Sequence, residues 1–140
     1  MAKFVATNYS LLVNTVDLSD HVQQMTVNMT AEDVDLTAMG AVAREHGLGL
    51  RDDRVSVTFF QDHASAKVDA TLAAMLALGS TGAVLTAKPT SASVSATNPS
   101  FSGTFILLGY EPINATVGEA GMTDVEFVPA AGSFITRATT

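Results

Sequence analysis

The sequence predicts a mainly β protein, a β-sandwich or partly open barrel of about seven to eight strands with one flanking α-helix at about residues 63–78 and a long loop or arm at about residues 31–53. Three observations carry this expectation. Short stretches alternate apolar and polar residues with the two-residue period of a half-buried strand, and turn-forming residues separate them. Only one stretch spaces its apolar residues at helical intervals. The length of 140 residues suits a single domain over residues 1–140. A chain of that size buries roughly two-thirds of its unfolded surface and needs no covalent staple.

From the N-terminus, Leu11, Leu12 and Val13, then Val16 and Leu18, flank Asn14-Thr15 in the pattern of a tight hairpin. Met25, Val27 and Met29 alternate with Thr26, Asn28 and Thr30, which buries one face of that strand. Residues 31–53, AEDVDLTAMGAVAREHGLGLRDD, break the rhythm with three glycines, six acids and no sustained period. A helical turn over residues 37–45 is weakened by Gly40. Connections longer than about 15 residues without regular structure are uncommon in compact domains. The aliphatic residues Val34, Leu36, Met39, Val42, Leu48 and Leu50 argue against plain disorder. The segment therefore reads as an arm that orders against a neighbour.

Residues 54–60 return to period two, with Val55, Val57 and Phe59 on one face. In the helix that follows, Asp62 is the expected N-cap and Gly79 the stop. Val68, Leu72, Met75 and Leu76 form its apolar stripe, against a polar back of Ser65, Lys67, Asp69 and Thr71. Residues 83–88 make a short strand stopped by Pro89, and residues 90–100 are rich in Ser, Thr and Ala and end in the turn signal Asn98-Pro99. Strands are expected at 101–110, 122–128 and 133–137, with a turn region at 117–121.

Fourteen acids against seven bases give a formal net charge of −7. Such a surface repels phosphate and anionic lipid, which disfavours tight nucleic-acid binding. Residues 1–70 hold ten acids and five bases, and residues 71–140 only four and two. So sparse a charge in the second half fits either a well-covered core or a surface that meets partners. There is no cysteine, hence no disulfide, thiolate nucleophile or thiolate metal site. The first ten residues lack the apolar core of a secretion signal. The most apolar stretch, 72–87, is interrupted at Gly79, Ser80, Thr81 and Gly82 and is too short to cross a bilayer, so no membrane partner is expected.

Motifs for chemistry are lacking. The chain contains no G-x-S-x-G, no phosphate-binding G-x-x-x-x-G-K-[ST] and no dinucleotide G-x-G-x-x-G, since Gly47-Leu48-Gly49 stands alone. His21, His46 and His63 follow no metal-ligand spacing, and the acids Glu32, Asp33 and Asp35 lack the spacing of a calcium loop. Those acids read as a solvated charge run, and Arg51-Asp52-Asp53-Arg54 as local ion pairs. No catalytic residue, cofactor or metal is expected.

Several segments, in order along nearly the whole chain, resemble the tail-tube (major tail) proteins of long-tailed bacteriophages. They are residues 16–22 (VDLSDHV), 35–40 (DLTAMG), 47–52 (GLGLRD) with the strand running into Gln61-Asp62, 88–90 (KPT), 95–99 (SATNP), 101–103 (FSG), 122–127 (MTDVEF) and 135–139 (ITRAT). The resemblance implies a β-sandwich with one flanking helix and a long loop that reaches a neighbouring subunit. It also implies rings, typically sixfold, stacked into the hollow tail tube of a virion assembled in the bacterial cytoplasm. The expected partners are further copies through lateral and axial contacts, other tail proteins, and viral DNA passing without being held. On this reading Leu36, Met39, Leu48 and Leu50 of the arm meet a neighbour, and some of Glu32, Asp33, Asp35, Asp52 and Asp53 face the channel or an interface. A head-to-tail adaptor, tail terminator or minor tail protein of the same fold is the nearest alternative. A virion-surface binding module is another, but two Tyr and no Trp make a poor aromatic platform.

Overall fold

The computed structural model describes residues 3–140. Ten strands and one α-helix follow one another: β1 Ser10–Val13, β2 Val16–Asp17, β3 Val22–Asn28, β4 Ala31–Asp35, β5 His46–Arg51, β6 Arg54–Phe60, α1 Val68–Ala77, β7 Ala83–Lys88, β8 Ser100–Leu107, β9 Met122–Pro129 and β10 Thr136–Ala138. Eight of the strands form one antiparallel sheet in the order β2-β1-β7-β8-β9-β6-β3, with β10 also paired to β8. The path does not close, because β2 and β3 at its ends are not paired. Inward residues from β1, β6, β7, β8 and β9 nevertheless share one core, so the sheet curls around it as a partly open barrel. Strand β8 makes the curl. It pairs with β7 over Phe101 to Phe105, with β10 over Ser100 to Ser102, and with β9 over Phe105 to Leu107.

The period-two reading places the core residues of β6 correctly, whereas Met29, expected on the buried face with Met25 and Val27, lies beyond the end of β3 and is 45% exposed. Val55, Val57 and Phe59 of β6 face Val125 and Phe127 of β9 across the sheet, and Leu11, Val13, Leu85 and Phe105 complete the wall. The hairpin at Asn14-Thr15 has both turn residues at positive φ, 49° and 67°, the twist that joins two strands through a two-residue loop. Between α1 and β7 the chain turns at Gly82 (φ +66°). A side chain there would lie 2.3 Å from the Phe105 carbonyl, so only glycine lets β7 come alongside β8.

Three further expectations need correction. Residues 31–53 are not an irregular arm with a helical turn at 37–45 but a β-ribbon, β4 paired antiparallel with β5. Its pattern lacks a period because neither of its faces is buried. The helix begins at Val68, later than expected, and Lys67 rather than Asp62 sits at its N-cap without a side-chain cap bond. Asp62 instead organises the turn before it, accepting the Ala64 N–H at 2.9 Å on its side chain and the Asp69 N–H at 3.0 Å on its carbonyl. The stripe is Val68, Thr71, Leu72 and Met75, whereas Leu76 is 43% exposed. Thr71, assigned to the polar back, turns inward, and its hydroxyl is buried without a partner.

Leu72 is fully buried against the sheet, so Leu72→Asp should prevent folding, seen as loss of the β signal in circular dichroism. Thr71→Val keeps the shape of the side chain and removes the orphaned hydroxyl. It should raise stability by about 1 kcal/mol in urea unfolding.

Candidate assembly surfaces

The ribbon is ordered by its own polar contacts. Leu36 N–H donates to the Glu45 carbonyl at 2.9 Å, Arg44 Nη1 donates to Asp35 Oδ2 at 2.6 Å, and His46 Nδ1 lies 2.8 Å from Asp33 Oδ1. Bonds from the Thr37 hydroxyl and N–H, with a further one from Arg44, hold the Asp35 carboxyl below the usual carboxylate range. In the register Asp33 faces Leu48 and Asp35 faces His46, so these four residues share one face. The other face carries Val34 and Leu36 laid across Gly47 and Gly49. A Cβ at Gly47 would sit 2.6 Å from Leu36 Cδ1, and one at Gly49 would sit 2.9 Å from Val34 Cγ2. The four residues expected at an interface are open to solvent: Leu36 is 57% exposed, Leu48 86%, Leu50 81%, and Met39 fully. None of the four belongs to the core cluster.

Asp53 does not belong among the surface acids. It is completely buried, and both carboxylate oxygens are used within the chain. Oδ1 accepts from Thr30 N–H at 2.9 Å and Arg51 Nε at 3.0 Å; Oδ2 accepts from Arg51 Nη2 at 2.5 Å and Ile135 N–H at 2.8 Å. Burial raises its pKa, but the Arg51 bonds and the two backbone N–H groups outweigh this and hold it below the usual range. The Arg51 guanidinium also lies 5.2 Å above the Phe134 ring. The residue thus ties both legs of the ribbon to the segment leading into β10.

The remaining four acids are exposed but separate. Glu32, Asp33 and Asp35 ride on the ribbon, whereas Asp52 bonds Arg54 Nη2 at 3.1 Å, and Arg54 Nη1 reaches Glu126 Oε1 at 3.3 Å. That chain leads to a surface not singled out from the sequence, the outward face of β3, β6 and β9. Its rungs are Gln24-Thr58-Asp124 and Thr26-Ser56-Glu126, flanked by Asn28-Arg54. The Thr58 hydroxyl donates to Asp124 Oδ1 at 2.6 Å. Large apolar pairs join this face only beyond these rungs, Phe60-Met122 at one end and Val128-Ile106 at the other. The signal was present in residues 122–128, where Asp124 and Glu126 alternate with Val125 and Phe127.

The histidines are each set against carboxylates: His21 between Asp20 and Asp62, His46 on Asp33, and His63 near Asp69. Among the described residues no three potential metal ligands converge.

No protein-family model matches the sequence, and no curated protein matches it either. Solved structures do match. A chain in the virion of the native gene transfer agent particle is 12% identical, with a TM-score of 0.69 over 92% of this chain and 95% of that one. The SPP1 tail tube, also 12% identical, gives 0.64 over 95% of this chain and 76% of that one. The tail of the empty gene transfer agent particle, of C6 symmetry, gives 0.61 at 12% identity over 83% and 82%. At such identity the likeness is one of fold, and this chain shares the fold of those structures.

The Asp53 contacts yield a test. Asp53→Asn places an amide against N–H donors and leaves Arg51 without its counter-charge. It should cost about 3 kcal/mol in urea unfolding at neutral pH. Because the folded carboxyl has the lower pKa, its stabilisation is full above about pH 4 and is lost as pH falls through the folded value. The wild type should lose more stability than the asparagine variant on acidification below that point.

Proposed function

We propose that this chain is a tail-tube subunit of a phage-like particle, a structural protein without catalysis that stacks as rings around a DNA-conducting channel. The observation that carries this is the asymmetry of its surface. The ribbon exposes Leu36, Met39, Leu48 and Leu50, the loop after β8 exposes Leu108, Ile113 and Val117, and the helix end and β7 expose Leu76, Leu78 and Val84. The central rungs of the β3–β6–β9 face, by contrast, carry hydroxyls, amides and acids. A tube subunit needs faces that stick to neighbours and one that stays wet. The shared fold with tail structures, one of them of C6 symmetry, supports the same reading.

In this arrangement the outward face of β3, β6 and β9 lines the channel, with Asp52, Asp124 and Glu126 turned toward it. Arg54, the cation there, is neutralised by Asp52 and Glu126. Duplex DNA meets a hydrophilic surface with charge of its own sign and a cation already paired, so it slides rather than binds. Six copies at −7 each reinforce this beyond the screening length of about 8 Å. The ribbon makes the contacts between copies. Because docking one ribbon covers only a few side chains, a single pair is weak, whereas a closed ring holds every contact at once and is stable.

Negative-stain electron microscopy of the concentrated protein, with sedimentation alongside, should show rings or tubes of uniform diameter. Isolated rings that never stack would favour the adaptor or terminator role, and a monomer at every concentration and inside particles would overturn the proposal. Leu48→Asp should leave the circular dichroism spectrum intact while the protein sediments as a monomer, because Leu48 contributes nothing to the core.

A further inference from the structure

The seam where the curled sheet stays open is a cleft of ≈ 1100 Å³, bordered by β3 on one side and by β7 and the start of β8 on the other. Val22, Met25, Val27 and Phe101 form its floor. They are only partly buried, so part of the core-facing apolar surface remains open to water.

The charges around the cleft are distinctive. Of the seven Lys and Arg, Arg44, Arg51 and Arg54 are paired with carboxylates. Among the described residues the other four, Lys3, Lys67, Lys88 and Arg137, have no carboxylate within 4.0 Å. Lys67 and Lys88 line the cleft. Arg137 stands opposite Phe101 in the β10–β8 register and therefore shares its face. Lys3 begins the segment whose residues 6–9 form one wall. The two acids that line the cleft are engaged locally, Asp17 with Ser19 and Asp20 with His21.

We propose that this cleft is the socket for the ribbon of a second copy of the chain. The inference rests on the tube reading and names the receiving half of its contact. The ribbon face laid across Gly47 and Gly49 presents exposed Val34 and Leu36 together with Glu32 and Glu45, neither of which forms an ion pair among the described residues. An apolar strip edged by unpaired acids matches an apolar floor edged by unpaired bases. Each surface holds what the other lacks, and docking removes both from water at once. Ribbon and socket are different parts of one chain, so the contact is head-to-tail and repeats from copy to copy until a closed or stacked assembly uses every socket.

The absence of cysteine makes the test clean. Leu36→Cys and Lys88→Cys are prepared as separate proteins, mixed under assembly conditions and treated with a short bis-maleimide crosslinker. A covalent dimer should appear in the mixture and not in either protein alone. Lys67→Glu with Lys88→Glu should raise the concentration needed for assembly by about tenfold or more. Adding Glu32→Lys and Glu45→Lys should restore assembly. Rings or tubes that form without the crosslink, and that tolerate the charge reversals, would overturn the socket and leave the tube reading standing. A crosslink from Lys88→Cys to Ile113→Cys instead would assign the cleft to the loop after β8 and also overturn it. A crosslink within one chain carrying both cysteines, with no intermolecular product, would show the ribbon folded back on its own cleft. Absence of both assembly and crosslink would overturn the socket and the tube reading together.

Discussion

A single buried carboxylate sets the geometry on which the surfaces depend. Asp53 lies where the ribbon rejoins the sheet, and its two oxygens take four hydrogen bonds from Thr30, Arg51 and Ile135. Burying a carboxylate is unfavourable unless it is fully bonded and paired, and here it is both. The effect is directional. The ribbon contributes no residue to the core cluster, so it has no packing of its own to fix its angle. Asp53 supplies that angle by joining both legs to the start of β10, and β10 in turn is paired to β8, the strand around which the sheet curls.

From that anchor the molecule divides its work. The inward faces of the strands and one stripe of α1 hold the fold together, and they are aliphatic and aromatic throughout apart from groups such as Thr123 and Asp53. The ribbon, the loop after β8 and the open seam carry apolar surface that the chain itself does not cover. The central rungs of the β3–β6–β9 face carry neither burden. A protein living alone would be expected to hide its bare leucines and seal its seam; one that lives among copies can leave both for its neighbours.

How much of this the sequence disclosed depends on whether burial was one-sided. Where a strand has one wet and one dry face, as in residues 54–60, the alternation named Val55, Val57 and Phe59 correctly. Where neither face is buried, as in β4 and β5, the same strands left no period and passed for irregular chain. The helix was found but not its start, because Asp62 closes a turn in a way that local sequence does not distinguish from capping a helix. Among the candidate site residues, Leu36, Met39, Leu48 and Leu50 were visible as aliphatics out of place. The true position of Asp53 was hidden, since its partner Ile135 is 82 residues away. Asp124 and Glu126 were legible as a pattern, but nothing in one strand reveals that two others extend its polar face.

The side chains of that polar face have a mechanical consequence. Those at its centre, Thr26, Ser56 and Thr58, are short, and the long Arg54 at its edge is held between two acids rather than free to swing. In the proposed channel a passing duplex would therefore run along a layer of bound water over a nearly static wall, with few flexible arms to catch on its grooves. Resistance to motion would then be set by the viscosity of that water film and would rise smoothly with speed, so that a genome under pressure could start to move without first breaking a set of contacts.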